Sequence, residues 1–89
     1  MEKKMYVLKA SKADYKKSES WDTWEKEESE FPWKYPANET CLILKGSATV
    51  RDFEGNEIRF GEGDLVHFPK GLECIWKIHS KIEKKYLLY

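Results

Sequence analysis

Short runs of β-branched and aromatic residues, interleaved with polar ones and broken by Gly, Asp, Asn and Pro, recur along most of the chain. Runs of this kind at near-even spacing are the sequence form of strands in a sandwich or barrel. Residues 5–10 read as a first strand. Residues 21–33 carry enough charge to suit a solvated helix face, but the aromatics that bracket them and Pro32 favour strands and a turn. Residues 40–45 form a strand ended by Gly46. Residues 47–53 and 57–61 join across Glu54, Gly55 and Asn56 as a hairpin, with glycine where a positive φ costs least. A second tight turn at 61–64 leads into strands at 65–69, 72–79 and 82–89. No stretch predicts a helix with any force, so the expected fold class is all-β, a small antiparallel barrel.

The phase of the side chains says which face is inside. In 72–79, Cys74, Trp76 and Ile78 share one face, against Glu73, Lys77 and His79 with Ile75 among them on the other; the first face is the interior. In 40–45 both faces are apolar, Cys41 and Ile43 on one and Leu42 and Leu44 on the other, as in a strand covered on both sides. With no helix to act as cover, a second subunit is expected there, a homodimer through the sheet that carries Leu42, Leu44 or Ile75.

Composition narrows the picture. Eighty-nine residues, 40% of them hydrophobic, fill one core and not two, so residues 1–89 are expected to form one domain. Sixteen basic and sixteen acidic residues cancel. No global field then draws the chain to nucleic acid or to an anionic membrane, and a small-molecule or protein partner is expected instead. No apolar run has the length of a signal peptide or a bilayer span, which points to a cytoplasmic protein with reduced thiols. A charged fraction of 36%, mostly Lys and Glu, is the composition of a thermophile protein.

The turns and spacings resemble the cupin family. Its first motif has two histidines one residue apart, a glutamate three or four residues on, and a glycine after six more. Here Glu39 is followed by six residues and Gly46, with Trp33 and Tyr35 standing where the histidines would be. In the second motif Gly63, Pro69 and Gly71 fit, and Cys74 stands where a third histidine would be. The wording of the motifs, over about residues 21–86, is similar to the small cupins grouped with ureidoglycine aminohydrolase and the ethanolamine-utilisation accessory cupins. The resemblance implies a jelly-roll barrel (a double-stranded β-helix). It also implies a divalent metal and, by analogy, an aminohydrolase acting on a ureido or amine substrate.

The residues themselves argue differently about the metal. Trp offers no usable lone pair and neutral Tyr is a poor ligand, so a histidine-type site cannot be built from these positions. His67 and His79 fall on the outward phase. Glu39, Cys41 and Cys74 could form a soft zinc site, or the two cysteines could be small buried hydrophobes, the reading that carries more weight. A nucleophilic Cys74 would need a base that no inward histidine supplies. The expected site is therefore a metal-free pocket lined by Trp33, Tyr35, Glu39, Cys41, Cys74 and Trp76, with no cofactor. Glu39 anchors a small polar or amine-like ligand, and Glu39 and Cys74 are the candidates for any catalysis or metal binding. A minimal enzyme and a regulatory interaction module are the alternatives.

Overall fold

The computed structural model describes residues 4–89. Seven strands and one short helix run in the order β1 (Tyr6–Lys9), α1 (Lys12–Ser18), β2 (Asp22–Lys26), β3 (Ser29–Lys34), β4 (Glu39–Asp52), β5 (Glu57–Gly61), β6 (Asp64–Phe68) and β7 (Glu73–Leu88). All strand pairs are antiparallel, as expected of an all-β cupin barrel. No helix among the described residues is long and apolar enough to cross a membrane.

β4 and β7 organise the barrel because each is long enough to belong to both of its layers. The first half of β4 lies between β6 and the second half of β7, and that layer continues to β1 on one side and β2 on the other. The second half of β4 lies between β5 and the first half of β7, which pairs in turn with β3. Aromatic side chains close the space between the layers. Phe60 on β5 meets Phe68 on β6 edge to face at 6.2 Å, and Trp76 meets Trp24 on β2 at 6.0 Å.

Two single strands thus replace four expected ones, and Gly46 is a bend within β4 and not its end. The register between β4 and β7 slips around residues 43–48. Inward positions on β4 consequently change from odd (Cys41, Ile43) to even (Ala48, Val50), all fully or almost fully buried. Gly46 sits at φ +89°, and a Cβ there would lie 2.0 Å from the Lys81 carbonyl oxygen. Only glycine lets β4 and β7 cross this closely.

The helix was not expected, and its signal lies in the caps. Ser11 Oγ accepts from the Asp14 amide at 3.2 Å while the Ser11 amide donates to Asp14 Oδ2 at 2.8 Å, a reciprocal capping box. The hydrogen bonds that the Ser11 amide and, at 3.0 Å, the Ser11 hydroxyl donate to Asp14 Oδ2, the backbone one foremost, hold the Asp14 carboxyl below its usual range. Lys16 and Lys17 favour the last turn electrostatically. α1 packs against β4, and Leu42 is fully buried within the chain although it stands outside the interior cluster. The argument that Leu42 needs a second subunit as cover is thereby corrected, because Leu42 is already buried within the single chain.

Candidate functional site

β2 and β3 each pair with β7 but not with each other, and a cavity of about 520 Å³ opens beside them. Its lining is largely aromatic: Trp24, Phe31, Trp33, Tyr35, Trp76 and Tyr86. Phe31 stacks on Trp76 with centroids 6.1 Å apart and planes within 10°.

The polar centre of the wall is a buried ion pair. Lys84 Nζ lies 2.6 Å from Glu39 Oε2, and their side chains are only 6% and 9% exposed. The same ammonium stands 4.7 Å from the ring centroid of Trp24, 4.9 Å from Trp76 and 5.8 Å from Tyr86. Three ring faces and one carboxylate therefore share one cation, each contact favouring its charge in a site where water competes little.

Tyr35 is held beside this pair by its backbone. Its amide donates to the Leu72 carbonyl at 2.9 Å, and its carbonyl accepts from the Gly71 amide at 2.7 Å, which ties the β3–β4 loop to the turn before β7. The Tyr35 ring stacks on Phe68 at 4.6 Å, and its hydroxyl accepts from Trp76 Nε1 at 3.0 Å. Burial, reinforced by the charge of Glu39, pushes the Tyr35 phenol well above its usual range, so it remains a hydrogen-bond donor.

Of the pocket residues expected from sequence, Tyr35, Glu39 and Trp76 line the cavity together. Trp33 also lines it, but at the mouth, half exposed and edge-on to Tyr35 at 6.3 Å. Cys41 and Cys74 share the inward phase yet do not line it; both are free and fully buried. Burial pushes the Cys41 thiol up to about 12 and the Cys74 thiol up to about 11. Cys74 Sγ donates to the Trp33 carbonyl at 3.5 Å. Both behave as small hydrophobes, and neither is poised as a thiolate.

Sequence reasoning missed Lys84, the residue that partners Glu39. Its signal was the phase: Ile82, Lys84 and Tyr86 alternate on one face of the last strand, so a lysine stood in an interior row. His67 and His79 lie on the outer face, where Thr40 and Tyr89 accompany His67 and Thr49 accompanies His79.

The residues do not fit the divalent metal that the cupin resemblance implies. Trp33, Tyr35 and Cys74 stand at three of the ligand positions, and the fourth, Glu39, is engaged by an ammonium. Among the described residues no group of three or more His, Cys, Asp or Glu is placed to hold a metal ion.

The sequence model of the EutQ-like cupin domain matches residues 14–86. The crystal structure of a DUF861 family protein from Thermotoga maritima is similar over 97% of this chain and all of that one, at 42% identity and a TM-score of 0.92. Two larger proteins share the fold at lower identity. An ethanolamine utilization protein Q of Salmonella typhimurium is 24% identical, with a TM-score of 0.68, over 75% of this chain and 54% of its own. EutQ of Clostridium difficile is 21% identical, with a TM-score of 0.69, over 75% and 52%. The chain thus spans about half the length of either EutQ protein. No curated protein matches it.

Proposed function

The chain belongs to the EutQ-like cupin family, and from that premise we propose that it binds a small polar molecule with a carbonyl oxygen, an amide or ureido compound, in the aromatic cavity. The observation that carries this reading is the Glu39–Lys84 pair, 2.6 Å apart, in the wall of that cavity. Ligand pockets are mostly apolar with a few placed polar groups, and this wall has that balance.

An amine, the ligand that Glu39 alone would suggest, finds the carboxylate already taken by Lys84. A carbonyl oxygen uses the pair as it stands. The ammonium has three N–H donors and gives one to Glu39. The Tyr35 hydroxyl accepts from Trp76 and keeps its own hydrogen to donate. A planar ligand would lie along the Phe31 and Trp76 faces. Glu39 is then the anchor at one remove, since it holds the ammonium in place.

Titration of tryptophan fluorescence with small amides and N-carbamoyl amino acids tests the proposal. Saturable quenching is expected, weakened in Tyr35→Phe and abolished in Lys84→Met, with folding checked by circular dichroism. No saturation in the parent chain, or equal affinity in both variants, would overturn it. Ammonia release from a compound that binds would turn the binder into an aminohydrolase.

A further inference from the structure

The outer face of the β4–β5–β7 layer carries a second concavity, of about 280 Å³, on the side of the sheet opposite the aromatic cavity. We propose that it is an anion site, one that takes the phosphate group of a small phosphorylated molecule.

The strand register builds it. Thr49 on β4 faces Arg59 on β5 and Lys77 on β7. Arg51, two residues along β4, projects from the same face, as does His79 on β7. One short side chain, Thr49, therefore forms the floor of a basin whose rim carries Arg51, Arg59, Lys77 and His79, together with Glu57 and Ile75. Its hydroxyl is fixed by His79 Nε2 at 2.7 Å.

The chain has two arginines among its sixteen basic residues, and both stand here. Elsewhere on the surface, Lys81 reaches Glu25 at 3.2 Å and Lys45 reaches Glu83 at 3.6 Å. Glu57 faces Arg51 in register and Glu30 faces Lys77. Neither closes an ion pair, and among the described residues Arg51, Arg59 and Lys77 have no acidic partner. Three unanswered cations around a hydroxyl, in a protein of zero net charge, form a local field and a set of donors suited to a tetrahedral oxyanion. Paired guanidinium forks match phosphate oxygens in geometry as well as charge.

The test is an amide NMR titration at constant ionic strength, with inorganic pyrophosphate as the probe. Saturable shifts are expected at Thr49, Arg59, Lys77 and His79. They should weaken by about tenfold or more in affinity in Arg51→Ala/Arg59→Ala, since each arginine would supply charge-assisted hydrogen bonds. Lys45→Ala/Lys81→Ala removes the same charge elsewhere and should leave the affinity unchanged. Equal weakening in the two double variants would reduce the effect to net charge and overturn the site, as would shifts that never saturate. All four side chains replaced are exposed, and a melting curve for each double variant confirms that the fold is retained.

Discussion

Replacing Lys84 with methionine keeps the apolar stem in place and removes only the charge. Glu39 would then stand at the cavity wall with its cation gone and its side chain still only 9% exposed. Breaking a buried ion pair from one side costs about 3–5 kcal/mol, because the remaining charge is neither paired nor hydrated. Loss of the contacts with Trp24, Trp76 and Tyr86 adds about 1 kcal/mol. Against a total stability of about 5–15 kcal/mol for a domain of ordinary stability, this is a large share. Glu39→Gln should cost less, because a neutral amide still accepts from Lys84. The double variant Lys84→Met/Glu39→Gln leaves no charge behind and should recover about 2 kcal/mol or more of the summed losses.

Urea unfolding followed by tryptophan fluorescence reads all four proteins, since Trp24 and Trp76 border the pair. The slopes must agree for the midpoints to be compared as stabilities. A loss below about 1 kcal/mol in Lys84→Met, the value of a solvated surface pair, would show that water reaches both groups and refute the argument. Strict additivity in the double variant would refute it as well.

Gly46→Ala should prevent folding or lower the melting temperature severely. A positive φ alone costs a non-glycine residue about 1–2 kcal/mol, and here the methyl would also meet the Lys81 carbonyl oxygen at 2.0 Å; circular dichroism melts check it. Cys41 has a thiol raised from 9.0 to about 12 by burial. The unfolded chain ionises it first as pH rises, so its contribution to stability is full below about pH 9 and is lost between pH 9 and 12, by up to about 1.4 kcal/mol per pH unit. Urea midpoints between pH 8 and 11 should fall less steeply in Cys41→Val, and an identical slope would count against the burial argument. For a homodimer, the large exposed apolar residues left on the outer face with Leu42 covered are Tyr6, Leu8, Leu87 and Tyr89. If the chain self-associates there, Leu87→Lys should shift sedimentation toward the monomer mass, and an unchanged mass would move the contact elsewhere.

Much of the barrel was legible in the sequence because its turns and its alternation are local. The glycines at 46, 55, 63 and 71 all take positive φ, and runs between them repeat with the period of a strand. Tyr35, Glu39 and Trp76 could be placed inside by counting in twos. The helix was missed because seven residues carry little periodicity, and its evidence lay in the Ser11 and Asp14 caps. The merging of four expected strands into β4 and β7 was hidden for a related reason. A bend and a break both leave a glycine or an exposed pair in the sequence, and only the partner strand distinguishes them.

The amino-acid order therefore determined the strand content, the cupin resemblance and the inward row of aromatics, all set by residue type and spacing along one segment. It also showed that the usual histidines are missing. Which side chains meet across the barrel was decided by tertiary structure alone. Glu39 and Lys84 are 45 residues apart, and the slip in register at residues 43–48 changes the inward positions of β4 from odd to even. Register is a property of two strands together, and so the buried pair, its aromatic surroundings and the arginine basin on the opposite face exist only once the sheet is assembled.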